Sequence, residues 1–340
     1  MSLNKHIKNS RGLIDNGLVD DGILQTIEKV TEKFSVSISQ GIHNNPAPEV
    51  LEQYVPSVEE LSISAEELAD PIGDDVYTPI KGITHRYPDR VLLKAVHVCE
   101  VYCRFCFRRE KVGRGKEILS QSELDIAIQY IEQNEQIFEV ILSGGDPLVL
   151  HPAKLKEIVE RLSKIEHVAV IRIHTRLPMA SPEKVTEKLI DALETEKAVF
   201  VVLHCNSHEE VTVEVKAALK RFFKMGIPLL SQSVLLKGIN DCEEKLEKLF
   251  RVLIANRVKP YYLHHPDKAQ GTSHFRVPVD KGVELTKSLR GKVSGLCQPS
   301  YVLDIPGGKG KVPLGYTYLR KNGENYKVED WQGNCHDYKD

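Results

Sequence analysis

The sequence predicts an α/β chain built on a partial (β/α)6 barrel of the TIM type, preceded by a helical N-terminal extension. Three observations predict it. Six short apolar runs, 91–98, 139–143, 168–175, 199–205, 228–236 and 259–264, alternate with segments of helical period. Strands separated by helices pair in parallel, because the chain must cross back over the sheet between them. Polar residues then gather where these runs end: Cys99, Ser143 to Asp146, His174, Arg176, His204, Asn206, Gln232 and Asp267. A doubly wound open sheet and a barrel both carry their site at that end, and so crowded a rim favours the barrel.

In chain order, Ile23, Leu24, Ile27, Val30 and Phe34 recur at helical spacing in the N-terminal stretch. Ser64 to Glu67 reads as a capping box opening a second helix. Asp70-Pro-Ile-Gly-Asp-Asp75 breaks the pattern and sets a boundary, giving an extension over 1–75, a core over 76–305 and a C-terminal segment over 306–340. Within the core, Ser120 with Glu123 caps one helix. Leu155, Ile158, Val159 and Leu162 form one face of another, and Ser181-Pro182 starts a third. Further helices fit 211–224, 243–255 and 279–289, with one short strand at 312–319.

Forty-six basic against 48 acidic residues give a formal charge of -2, which excludes a broad basic face for nucleic acid. No apolar run approaches the ~20 residues that span a bilayer. The start, Met1 to Lys8, has no apolar stretch marking export, so a cytoplasmic chain is expected.

The chemistry concentrates in Cys99-Glu-Val-Tyr-Cys103-Arg-Phe-Cys106. Three thiolates on one loop converge on a soft inorganic centre, iron–sulfur or zinc. A structural zinc site takes four ligands, and no fourth follows at a sensible spacing. A cubane on three cysteines leaves one iron open, and buried free thiols are the remaining reading.

This spacing resembles the signature of the radical S-adenosylmethionine enzymes. The resemblance implies a [4Fe-4S] cluster on Cys99, Cys103 and Cys106, whose open iron chelates S-adenosyl-L-methionine and generates a 5′-deoxyadenosyl radical. Ser143-Gly144-Gly145-Asp146 resembles the element whose backbone holds the methionyl amine in that superfamily. His85-Arg-Tyr-Pro-Asp-Arg90, Gln232 to Asp241, His274-Phe-Arg-Val-Pro278 and Asp304-Ile-Pro-Gly-Gly-Lys-Gly-Lys311 narrow the match. Over about residues 70–320 they resemble the lysine 2,3-aminomutase family.

A lysine among glycines is accessible enough to form a Schiff base, although Pro306 to Lys311 taken alone also reads as a solvated basic turn. The resemblance implies that Lys311 carries pyridoxal 5′-phosphate, with Lys309 standing where the family has glycine. It likewise implies Arg86, Tyr87 and Arg90 as contacts of that cofactor. Forked guanidinium donors suit a phosphate, and a surface salt-bridged loop is the plainer reading. His204 and Gln232 are assigned to cofactor by rim position. Arg108 matches the arginine that binds the substrate carboxylate, and Asp267 and Asp304 match the two acids that bind its ammonium. Two acids opposing one arginine suit a dibasic amino acid. Either acid could instead be a turn residue.

The resemblance also has gaps. The free-lysine mutases carry zinc on tail cysteines and one after the fourth strand, but this tail has only Cys335 and the strand position reads Glu210-Val211. The short tail resembles the branch that makes (R)-β-lysine for elongation factor P. The expectation is therefore an L-lysine 2,3-aminomutase needing an external electron donor, with a possible link to elongation factor P and a possible homodimer. Its competitors are a mutase for glutamate, arginine or ornithine, and a non-catalytic metal-binding protein.

Overall fold

In the computed structural model, which describes residues 6–113 and 118–340, one sheet of nine strands runs in chain order. The strands are β1 Ile83–Tyr87, β2 Arg90–Val96, β3 Glu139–Gly144, β4 Val170–Thr175, β5 Ala198–His204, β6 Leu229–Val234, β7 Val258–His264, β8 Ser300–Asp304 and β9 Lys311–Pro313. From β2 to β8 every pairing is parallel, whereas β1 and β9 run antiparallel along the two edges. Residues 1–5, most of the start read for export signals, lie outside the described part.

Alternation along each strand divides two environments. On β4, Ile171 and Ile173 point out and are buried under helices, while Arg172 and His174 point in and line a cavity. The outward residues of β2 to β7 form one core with Leu124, Ile128 and Ile131 of helix Gln121–Gln133 and with Leu155, Ile158 and Leu162 of helix Pro152–Ser163. Helices Val213–Lys224 and Glu243–Ala255 complete that layer. The cavity, about 750 Å³, takes side chains from all nine strands, so the sheet is curled into a half-barrel around it. Its edges approach each other without a shared ladder: Tyr87 on β1 accepts the Lys311 N–H on β9 at 2.9 Å.

The six expected parallel strands are present within ±2 residues at most ends, and the structure adds a seventh, β8, and an antiparallel edge, β1, while the other antiparallel edge, β9, overlaps the short strand expected at 312–319. β1 and β8 are short and flanked by proline or glycine, which hides their period. Three local expectations are corrected. Ser64 to Glu67 forms a turn, since Leu68 bridges to Ala269 and the Glu67 carboxylate takes Gly271 N–H and Arg276. Ser181 donates to Glu100 and caps no α-helix; a 3-10 turn, Pro182–Lys184, follows it, and Thr186 caps Glu187–Asp191. The strand placed at 312–319 is two, Lys311–Pro313 and Leu319–Asn322, the second opening a three-stranded antiparallel sheet at the C-terminus.

The N-terminal extension packs its own apolar cluster, Leu13, Ile27, Ile38, Val50 and Tyr54, against Val101 of the cysteine loop. Glu60, fully buried, receives Arg104 through Nε at 2.9 Å and Nη2 at 2.5 Å, and also Arg109. Burial raises the Glu60 carboxyl, but the two guanidiniums outweigh it and hold it below the usual carboxylate range. Removing the carboxylate strands two buried cations, so Glu60→Ala should cost about 3–5 kcal/mol in urea unfolding. A loss below about 1 kcal/mol would contradict this account of the triad.

Candidate active site

The cysteine loop leaves β2 and turns back against the end of β3. Gly145 N–H donates to the Val96 carbonyl at 2.7 Å and Asp146 N–H to Val98 at 2.9 Å. Both glycines are required there: Gly144 has φ +104, and a Cβ on Gly145 would collide with the Val98 carbonyl. The Asp146 carboxylate is spent internally, accepting from Thr175 Oγ1 and from the N–H groups of Leu148, Arg176 and Leu177. It braces the rim, while Ser143, Gly144 and Gly145 remain on the cavity wall beside it.

Cys99, Cys103 and Cys106 all face the cavity as free thiols. Burial pushes all three thiols up, Cys103 to about 11. Such thiols ionise when a cationic centre meets them, which suits a metal cluster. Among the described residues no three His, Cys, Asp or Glu side chains converge on a single-ion point. Three thiolates that each hold a different iron of a cubane need no such point, so the donor set fits a polynuclear centre.

Opposite charges line the rest of the wall. Asp74, nearly fully buried, accepts from Arg108 Nε at 2.7 Å and lies 3.4 Å from Arg86 Nη2. Burial raises its carboxyl, but Arg108, Lys94 and Arg86 hold it below the usual range. Desolvation also lowers the buried Lys94 ammonium to about 8. Arg108 Nη1 reaches Ser143 Oγ at 3.4 Å, so the arginine spans from Asp74 to the rim.

On the far wall Lys311 Nζ sits 2.5 Å from Asp304 Oδ2 and donates to His264 Nδ1 at 3.3 Å. Asp304 and Lys311 are opposite residues of the β8–β9 pairing, which fixes that contact. Lys309, two residues earlier, is exposed and absent from the wall. Asp267 Oδ1 is buried without a partner; burial and then the Asp304 charge push this carboxyl up to about 7. Arg90 stacks on Tyr87 at 3.9 Å and bonds Asp89, so both keep a face toward the cavity. Gln232 Nε2 bridges His174 Nδ1 at 3.2 Å and His204 Nε2 at 2.6 Å. Burial lowers both imidazoles, His204 to about 3, so they stand neutral. His174 Nε2 and Arg86 Nε are buried without partners and, with Asp267 Oδ1, leave unspent polar capacity at the wall.

Two rim residues, Arg176 on the cavity wall and Asn206 behind it, are engaged by the extension. Arg176 is held by Glu210, Gln53 and Tyr54, and Asn206 donates to Gln53, tying the rim to the extension. Asp74, Lys94 and Arg172 were not singled out in the sequence. Asp74 sat in the segment read as a boundary, and its only signal was an acid twelve residues before Arg86.

A family model described as the radical SAM superfamily matches residues 93–250. The L-lysine 2,3-aminomutase of Acetoanaerobium sticklandii is 42% identical over 281 residues, 83% of this chain and 68% of that protein. A putative L-lysine 2,3-aminomutase of Aquifex aeolicus is 40% identical over 297 residues, 87% of this chain and 80% of that protein. The glutamate 2,3-aminomutase of Clostridioides difficile is 36% identical over 280 residues, 82% and 66% respectively.

The raised Asp267 carboxyl has a consequence for stability. An unfolded aspartate titrates near ~3.9. The native chain keeps this proton up to about pH 7, so the group's contribution is full below the unfolded value and is lost as pH rises through the folded one. Asp267→Asn removes the titration. Between pH 5 and pH 8 the stability difference from wild type should therefore move by ~1–3 kcal/mol in favour of the variant. Urea unfolding of the metal-free chain at both pH values measures it, and a pH-independent difference would contradict the assigned environment.

Proposed function

The chain belongs to the lysine 2,3-aminomutase family of radical S-adenosylmethionine enzymes, and from that membership we propose that it isomerises L-α-lysine to β-lysine. One observation carries the reading. A single cavity is lined by the three thiols, by Lys311 and by Arg108, Asp267 and Asp304 among its charged residues.

When bound, the cluster with S-adenosylmethionine supplies a radical that abstracts hydrogen, and pyridoxal phosphate supplies a ring that spreads the unpaired electron during nitrogen migration. In this reading Cys99, Cys103 and Cys106 hold the cluster. Ser143, Gly144 and Gly145, with His204 and Gln232, hold S-adenosylmethionine, and Asp146 braces them. Arg86, Tyr87 and Arg90 receive the pyridoxal and its phosphate, and Lys311 attaches it. Arg108 takes the substrate carboxylate while Asp267 and Asp304 take the side-chain ammonium. The reaction is an isomerisation with no net redox change, so the external electron donor serves only to reduce the cluster.

Charge favours lysine over glutamate. A second carboxylate placed at Asp267 and Asp304 would meet two acids in a low-dielectric site, whereas an ammonium there satisfies the unpartnered Asp267 oxygen. The wall around the reacting centre includes Val101, Phe105, Ile141 and Val234, which exclude water from a reactive carbon centre. Among the described residues no helix is long and apolar enough to cross a membrane, and a cytoplasmic enzyme is our reading. We propose elongation factor P modification as a use of the product, and a homodimer as the assembly.

The test is anaerobic reconstitution with iron, sulfide and pyridoxal phosphate, followed by labelled L-lysine, glutamate, arginine and ornithine in parallel. β-Lysine from L-lysine is expected, and turnover of glutamate in preference to lysine would overturn the charge argument. Lys311→Ala should keep iron and sulfide yet yield no borohydride-trapped pyridoxal, whereas Lys309→Ala should trap it as wild type does. The reverse result would move the attachment to Lys309.

A further inference from the structure

We propose that His264 is the proton acceptor for Lys311, taking the ammonium proton so that Nζ can condense with the aldehyde of its cofactor. The inference rests on the assignment of Lys311 as the attachment lysine. It comes from three strand ends brought together: His264 closes β7, Asp304 closes β8 and Lys311 opens β9. A protonated lysine has no acceptor capacity, so the 3.3 Å contact requires Nδ1 of His264 to carry the lone pair and Nε2 the proton. Asp304 Oδ2 lies 2.5 Å from Nζ and 3.6 Å from the imidazole, so the same carboxylate neighbours the proton before and after transfer.

The environment fits the role. Burial and then the Lys311 charge lower the imidazole, leaving it neutral with its lone pair free. Burial would raise the Asp304 carboxyl, but the adjacent His264 and the Lys311 ammonium hold it well below the usual range, so it stays an anion. Other charged or titratable groups face the trio from each neighbouring element. Tyr262 lies 5.4 Å from Nζ and 5.6 Å from the imidazole, and Arg86 of β1 lies 3.8 Å from Asp304. His204 of β5 and His174 of β4 are neutral, while Asp267 and Arg108 act on the same charges from farther along the wall.

The step balances. Nζ–H breaks and Nδ1–H forms, giving an imidazolium beside the Asp304 carboxylate. The freed Nζ lone pair bonds to the aldehyde carbon, and the carbonyl oxygen leaves as water with one proton from the imidazolium and one from Nζ, so the imine nitrogen keeps one proton, the imidazole is neutral again and charge is conserved. No oxidant or reductant takes part.

The experiment follows cofactor capture rather than turnover. The cluster-loaded, pyridoxal-free enzyme is mixed with pyridoxal phosphate across pH 6 to 10, and the bond is trapped with borohydride and mapped by mass spectrometry. Wild type should trap at Lys311; trapping elsewhere would overturn the attachment lysine and not the chemistry of His264. His264→Gln should trap at the same residue with the rate at pH 7 reduced roughly 100-fold, recovering toward alkaline pH where hydroxide removes the proton. His264→Ala should regain rate on adding imidazole, which a merely structural histidine would not allow. Equal rates in wild type and His264→Gln, with Lys311 labelled in both, would refute the proposal, as would a deficit in His264→Ala that imidazole leaves unchanged.

Discussion

A buried carboxylate organises this molecule. Glu60 sits without solvent between Arg104 and Arg109, and Arg104 stands between two of the three cavity cysteines. A buried anion is tolerated only when cations and hydrogen-bond donors surround it, and each buried guanidinium has the mirror requirement. The loop that bears the thiols therefore has one arrangement that satisfies all three charges. Arg104 reinforces it by donating to the Ser35 carbonyl at 2.8 Å, and its own N–H donates to Gln53. The N-terminal extension thus acts as the outer half of the cysteine loop's mould, and Gln53 and Tyr54 repeat the device at Arg176 on the neighbouring rim.

Inside the half-barrel the same rule works with looser partners. Asp74 neutralises Arg86 and Arg108, and Asp304 neutralises Lys311, so groups suited to a charged amino acid and a phosphate rest on one another. Asp267 has no such partner and responds by holding its proton to about pH 7. A zwitterionic ligand with an additional ammonium can exchange these internal contacts for its own. Binding then rearranges ion pairs within a preformed wall and leaves the sheet unchanged.

The alternation of strands and helices was legible because its causes are local. The apolar run of β4 and the capping box of Ser120 with Glu123 act over a few residues, and both recur in the structure as read. Local signals failed where a distant group competed for the same atoms. Glu67 accepts the Ser64 N–H as a cap would, but its carboxylate also takes Gly271 and Arg276, more than 200 positions away, and a turn forms where a helix was expected. Strands β1 and β8 escaped notice because five residues beside a proline or a glycine turn carry too little period to register.

Residue chemistry and spacing along the chain were enough to name the three thiols, while the glycine pair beneath them, Lys311 and the acids and arginine set against one another were named by resemblance to the family. All of these signals are motifs of side-chain type and short-range order. Folding alone decided which charges meet. Glu60 lies 44 and 49 positions from its arginines, Asp74 lies 34 from Arg108, and His264 lies 47 from Lys311. No pattern in the chain encodes those distances; they follow from the curl of the sheet. Burial in that curl then sets protonation, which separates Asp304, an anion, from Asp267, an acid that keeps its proton.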